Sequence, residues 1–142
     1  AVSRLIVHRE HKAALVEKIL TRLRDWAVGD PMEPRTALGP LISQEHVAKV
    51  GAYLGGEAIT GGALEGPYLP PTIYELSAEA PRAREEIFGP ILGILEVATD
   101  EDAIALANES DYGLTACVFS GNVRRAIRAA RDIRAGTVTV NC

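Results

Sequence analysis

Apolar segments alternate with amphipathic segments along the second half of this 142-residue chain, and this alternation constrains the fold most strongly. The predicted elements there are a strand at residues 91–97, a helix capped by Thr99 or Asp100, a strand at 114–119, a helix at 122–134 and a strand at 137–142. Strands that alternate with helices indicate an α/β fold with a largely parallel sheet. Because residues 91–97 are almost continuously apolar, we expect that strand to be covered on both faces.

The first half predicts further elements of the same kinds. Strands are expected at residues 4–8, 58–60 and 72–74, helices at about 10–28 and 44–54, and a turn or short helix at 78–84. Gly29 and Pro31 are expected to end the first of these helices, and Ser43 to cap the second. Trp26 and Tyr53 fall at the spacing of a buried helix face, so we predict that both belong to the core.

Charge and composition argue against several classes of protein. The formal net charge is −4 and the isoelectric point about 5.4. An acidic chain of this kind is not expected to bind chiefly nucleic acids or anionic membranes. No apolar run reaches the length that crosses a bilayer, and no leader is expected at the first residues. Two cysteines provide no disulfide framework, so a cytoplasmic location is the expectation.

Residues 85–90, with the sequence EEIFGP, bring carboxylates and an aromatic ring to the start of the predicted strand 91–97. Neighbouring residues on an extended segment point to opposite sides, so Glu85 and Glu86 cannot easily flank one substrate bond. One carboxylate could instead accept hydrogen bonds from a ribose diol, with Phe88 against a flat ring. The alternative is a solvated acidic turn with Phe88 in the core.

Three other groups of residues are weaker candidates for a site. Spacing brings several of five arginines to one helix face, but we favour a solvated face over a phosphate site. The histidines lack a recognised metal-ligand spacing and are predicted to lie on the surface, and the cysteines are predicted to be buried in strands. These residues are Arg124, Arg125, Arg128, Arg131 and Arg134; His8, His11 and His46; and Cys117 and Cys142.

Several segments together resemble the aldehyde dehydrogenase superfamily, in an order that extends along nearly the whole chain. The most specific is REEIFGP at residues 84–90. The others are SRLIV at 3–7, VGDP at 28–31, LGPLIS at 38–43, LPPTI at 69–73, ALAN at 105–108, YGL at 112–114, RAGTV at 134–138 and VN at 140–141. The resemblance implies a three-layer αβα domain of the catalytic-domain type.

The resemblance also implies a function, namely NAD- or NADP-dependent oxidation of an aldehyde to a carboxylic acid. In that family a cysteine thiolate attacks the aldehyde, hydride passes to the nicotinamide, and a glutamate activates water to hydrolyse the thioester. The family's ribose-binding carboxylate and its nicotinamide-side phenylalanine fall on Glu86 and Phe88, while Glu85 is left as structural. A lysine that contacts the adenosine-side ribose falls on Lys49, and His46 stands where the family often has glutamine.

The family's nucleophilic cysteine matches neither Cys117 nor Cys142, so no catalytic residue is expected among these 142 residues. The chain begins and ends on predicted strands, and we expect a partial catalytic domain from a homo-oligomeric parent enzyme, inactive by itself. No metal is expected. The alternatives are a non-catalytic α/β binding or interaction module that retains the fold, and a purely structural role for Glu86.

Overall fold

The computed structural model describes residues 2–142. In chain order the elements are β1 (Arg4–His8), α1 (Arg9–Leu23), β2 (Ala27–Val28), β3 (Thr36–Leu38), α2 (Gln44–Gly51), β4 (Thr72–Glu75), β5 (Ile91–Val97), α3 (Asp100–Asn108), β6 (Thr115–Val118), α4 (Val123–Asp132) and β7 (Thr137–Val140). A 3₁₀ turn, Pro81–Ala83, lies between β4 and β5.

The largest sheet has three strands in the order β1-β5-β4, and both pairings are parallel. Strand β5 lies in the centre, so Ile94 is opposite Leu5 on one side and Glu75 on the other. Most of β5 is buried, and Ile94 has 0% of its surface exposed. The prediction of a parallel α/β fold with a strand covered on both faces is confirmed.

Helices cover the two faces of this sheet, which gives three layers. On one face Val7, Ile73 and Ile94 pack against the apolar side of α1. On the other face the 3₁₀ turn and α3 pack over Leu95 and Val97 through Ala83 and Leu106. Helix α2 packs beside them, over the end of the sheet at which β4 and β5 begin. The expected three-layer αβα arrangement is therefore observed.

The remaining strands form two separate pairs, β2-β3 and β6-β7, which are also parallel. Helix α4 packs on β6 and β7. On β6, Ala116 and Val118 are half-buried, while Thr115 and Cys117 are exposed on the opposite face. The prediction that the cysteines are buried is wrong, because Cys117 lies on the uncovered face and the exposed Cys142 lies beyond the end of β7.

Both predicted helices in the first half are too long. Helix α1 ends at Leu23, where the Trp26 N–H bonds to the Leu23 carbonyl in a turn, and Val28 then pairs with Leu38 of β3. Pairing with a distant strand overrides the local helical pattern. Trp26 is 46% exposed, so its assignment to the core is wrong.

No helix within residues 2–142 has the length and apolarity needed to span a membrane.

Candidate functional site

The turn at residues 85–90 lies between the 3₁₀ turn and the first residue of β5. The Glu85 N–H bonds to the Pro81 carbonyl at 3.1 Å, and the Ile91 N–H bonds to the Gly89 carbonyl at 2.8 Å. The turn is therefore at the amino end of the parallel sheet, whereas open α/β sheets usually bind ligands at the carboxyl ends of their strands.

Side chains alternate along this turn. Ile87 is 3% exposed and packs in a cluster with Val50, Tyr74 and Ile91, whereas Glu86 is half-buried and Phe88 is 61% exposed. Because an extended segment sends successive side chains to opposite sides, the burial of Ile87 turns its two neighbours outwards. The alternative that places Phe88 in the core is wrong, and the apolar core residue of this turn is Ile87.

The two glutamates of the turn have different surroundings. The Tyr53 hydroxyl donates a hydrogen bond of 2.6 Å to Oε2 of Glu85. This hydrogen bond is the main cause that raises the pKa of Tyr53 above its ordinary value, with desolvation and the charge of Glu85 as smaller causes. Within residues 2–142 no hydrogen bond or ion pair of the Glu86 carboxylate is found, so its oxygens are available to a ligand.

Helix α2 presents one face to the turn. Ser43 caps the helix by accepting a hydrogen bond of 3.1 Å from the His46 N–H. On the helix face that meets the turn, Nε2 of the His46 ring lies 2.6 Å from the Phe88 carbonyl oxygen. One turn later, Val50 lies against Gly89 so closely that a Cβ added to the glycine would be 2.9 Å from Cγ1 of the valine. The prediction that His46 lies on the surface is wrong, because its half-buried ring is held under the turn.

Lys49 is exposed on the same helix and borders a cavity of about 660 Å³. The cavity is also lined by Tyr53, Glu85 and Arg82, together with the apolar side chains of Leu76 and Pro81. Glu86 and Phe88 are not among its lining residues. The structure thus brings Lys49 together with Glu85, and it places the exposed ring of Phe88 outside this cavity.

Most of the other candidate residues from the sequence have structural partners within residues 2–142. Arg125 pairs with Asp100, Arg128 with Glu101 and Arg131 with Asp132. His8 caps α1 and contacts the Ala98 carbonyl through Nε2. Within residues 2–142 no cluster of three His, Cys, Asp or Glu side chains suits a metal ion.

Two contacts of the site were not expected from the sequence, namely Tyr53 with Glu85 and His46 with Phe88. The spacing of positions 46, 50 and 53 indicates one helix face, but nothing in the sequence identifies as its partner a turn that lies 32 to 42 residues away. What the assembled turn can do chemically is limited. It offers a carboxylate that can accept hydrogen bonds from a diol and an exposed aromatic face that can pack on a ring.

A family model described as "Aldehyde dehydrogenase family" matches residues 1–142. Among curated proteins, the chain is 48% identical to an aminoacetaldehyde dehydrogenase of Pseudomonas aeruginosa, over 100% of the chain and 30% of that protein. It is 36% identical to a betaine aldehyde dehydrogenase of Cereibacter sphaeroides, over 98% of the chain and 31% of that protein.

A solved structure gives the same result for the fold. The NAD-dependent aldehyde dehydrogenase of Sinorhizobium meliloti superposes with a TM-score of 0.92 at 39% identity, over 98% of the chain and 30% of that structure. The chain therefore spans about 30% of the length of the relatives that it matches.

Proposed function

Since the chain belongs to the aldehyde dehydrogenase family, we propose that it forms part of an enzyme that oxidises an aldehyde to a carboxylic acid with NAD or NADP. The observation that carries this proposal is the turn at residues 85–90. It holds an exposed aromatic ring and a carboxylate that has no partner in the described part of the chain, and Ile87 anchors it in the core. A dinucleotide bound there supplies the hydride acceptor.

The residues of the turn fit the nicotinamide half of a dinucleotide. Glu86 accepts hydrogen bonds from the ribose hydroxyls, since its oxygens have no partner within residues 2–142. Phe88, which is 61% exposed, packs beside the nicotinamide ring and limits its movement. Glu85 cannot share this role freely, because the Tyr53 hydroxyl already occupies one of its oxygens at 2.6 Å. Lys49 contacts the adenosine-side ribose from α2.

The nucleophile of the proposed reaction is a cysteine other than Cys117 and Cys142. The Sγ of Cys117 accepts a hydrogen bond of 3.2 Å from the Thr139 hydroxyl on the β6-β7 pair, and within residues 2–142 no His, Asp or Glu side chain is hydrogen-bonded to it. The 142 residues by themselves are therefore proposed to oxidise no aldehyde. A homo-oligomeric assembly and a cytoplasmic location remain predictions for the whole protein.

The proposed substrate is a small aldehyde that carries an amino or ammonium group. This choice rests on the 48% identity to a protein named aminoacetaldehyde dehydrogenase and the 36% identity to one named betaine aldehyde dehydrogenase. A cationic substrate of this kind requires acidic or aromatic side chains around its ammonium group.

The proposal is tested by assaying the protein at its full length with aminoacetaldehyde, betaine aldehyde and propanal, each with NAD and with NADP. We expect aldehyde-dependent formation of reduced dinucleotide, fastest with an amino or ammonium aldehyde and retained in Cys117→Ser and Cys142→Ser. The isolated residues 1–142 are expected to show no turnover. Failure of the full-length protein to reduce either dinucleotide with any aldehyde would instead favour the non-catalytic binding module.

A further inference from the structure

The His46 ring makes one polar contact, and its direction can be assigned. Nε2 lies 2.6 Å from the Phe88 carbonyl oxygen, which can only accept a hydrogen bond. The ring nitrogen must therefore carry the proton and donate it. Nδ1 is buried and has no partner within residues 2–142. Nε2 is thus protonated, and the only polar contact of the ring in the described residues is with the turn.

This contact explains why a polar ring occupies the position. An apolar side chain of similar size would fill the same space without burying an unpaired nitrogen. The imidazole adds a hydrogen-bond donor within reach of the Phe88 carbonyl oxygen. The peptide that follows Phe88 is thereby held in one orientation, which restricts the backbone of the Glu86–Phe88 segment.

The donor acts together with two other contacts from the same helix face. Val50 lies against Gly89, and the Tyr53 hydroxyl binds Glu85 just past the end of α2. The two ends of the turn are therefore attached to α2 and to the residues directly after it, with Glu86 and Ile87 between the attachments. His46 provides the attachment nearest to Phe88, and no other hydrogen bond to the Phe88 carbonyl is found within residues 2–142.

We propose that His46 is a positioning residue for the dinucleotide: its Nε2–H holds the Phe88 carbonyl and so preorders the Glu86–Phe88 segment for the nicotinamide ribose and ring. The proposal rests on the proposed function for its ligand, but its first half concerns the protein alone. A preordered segment loses less conformational freedom on binding, so the hydrogen bond contributes to dinucleotide affinity without touching the dinucleotide.

The test compares variants of the full-length protein. His46→Leu keeps the bulk and removes the donor, and His46→Gln places an amide N–H at a similar reach. His46→Asn keeps an amide donor on a side chain one methylene shorter than that of glutamine, and it serves as the variant with a donor of insufficient reach if the leucine protein does not fold. His11→Leu is the matched control, because it makes the same exchange at an exposed helix position away from the turn.

Three measurements are made on each variant. They are the ¹⁵N shifts of the His46 ring, the hydrogen-exchange rates of the amides at residues 86–89, and the affinity for NAD and NADP by calorimetry. We expect Nε2 to carry a proton in the parent sequence. His46→Leu should accelerate exchange in the turn and weaken dinucleotide binding by about three- to tenfold. His46→Gln should restore both properties to within about twofold, and His11→Leu should change neither.

The outcomes separate this proposal from the proposed function. An Nε2 that carries no proton, or exchange in the turn that His46→Leu leaves unchanged, overturns the positioning role. Unaltered dinucleotide affinity in a variant whose turn has become mobile also overturns it. If the protein binds no dinucleotide at all, the proposed function fails, and the ring shifts and exchange rates still decide whether His46 holds the turn.

Discussion

Glu85 and Glu86 are chemically identical neighbours, but they are held in different ways. Glu85 accepts a hydrogen bond from Tyr53, a residue 32 positions away, and Glu86 has no such partner within residues 2–142. A difference between their surroundings can be predicted from the sequence, because neighbouring residues on an extended segment point to opposite sides. The partner of Glu85 cannot be predicted, because it depends on how α2 packs against the turn. At this scale, local geometry assigns the structural role to one glutamate and leaves the other available for a ligand.

Gly89 is predicted to be intolerant of any side chain. A Cβ at this position would lie 2.9 Å and 3.1 Å from the two Cγ atoms of Val50, which is 1% exposed and cannot easily move. Overpacking of this kind costs about 1–3 kcal/mol, so we expect Gly89→Ala to lower the free energy of unfolding by that amount in urea titrations. Gly121→Ala is the control, since no atom lies within 4 Å of its added Cβ, and its effect should be within about 0.5 kcal/mol.

The cause is checked with a double-mutant cycle. Val50→Ala removes the two methyl groups that the new Cβ meets, so Val50→Ala with Gly89→Ala should be less destabilised than the sum of the two single variants, by about 1 kcal/mol. Additive effects of the two changes would show that the close approach of α2 to the turn is not the reason for the glycine.

Helices α3 and α4 illustrate which properties of an element can be predicted and which cannot. Their positions and caps follow from local signals, since Thr99 accepts from the Asp102 N–H and Asn122 from the N–H groups of Arg124 and Arg125. The arginines of α4 were expected to face solvent, and the sequence does not show that Arg125 reaches Asp100 on the other helix. Local signals also failed to predict where the first helix ends. The strand pairing that follows this helix involves residues ten positions away, which the local pattern does not show.

The ion pair between α3 and α4 predicts a dependence of stability on pH. Hydrogen bonds from Arg125 are the main cause that lowers the pKa of Asp100 below its ordinary value, and the charges of Arg125 and Arg128 add to the effect. A carboxyl whose folded pKa is lowered stabilises the fold above the unfolded value of about 4, and this contribution is lost as the pH falls through the folded value. The pair is largely exposed to solvent, so its contribution to the free energy of unfolding should be small.

Asp100→Asn should therefore lower the urea midpoint at neutral pH, and the difference from the parent sequence should disappear as the pH falls below the folded pKa. Asp102→Asn is the control for the helix dipole, because Asp102 also lies in the first turn of α3. We expect a smaller and less pH-dependent effect from that variant. An Asp100→Asn deficit that persists at low pH would mean that the carboxylate charge is not what joins the two helices.

At the scale of the whole molecule, three parallel strands between helical layers position the turn at the amino end of β5. The fold class could be predicted from the alternation of strands and helices, because each strand and each helix carries its own local pattern. The separation of the strands into three sheets could not, since it depends on which strands lie side by side. The proposed cofactor role of Glu86, Phe88 and Lys49 came from family resemblance, and the residues alone favoured a solvated acidic turn.

The central claim is that Glu86 and Phe88 form one side of a dinucleotide site. Substituting each of the two adjacent glutamates separately tests this claim most directly. Glu86→Gln and Glu85→Gln in the full-length protein make the same chemical change at neighbouring positions, and calorimetry gives the affinity of each for NAD and NADP. We predict that Glu86→Gln weakens binding by about tenfold or more, because hydrogen bonds to a charged carboxylate are lost, while Glu85→Gln stays within about twofold. Equal affinities for the two variants, or a larger loss with Glu85→Gln, would contradict the claim.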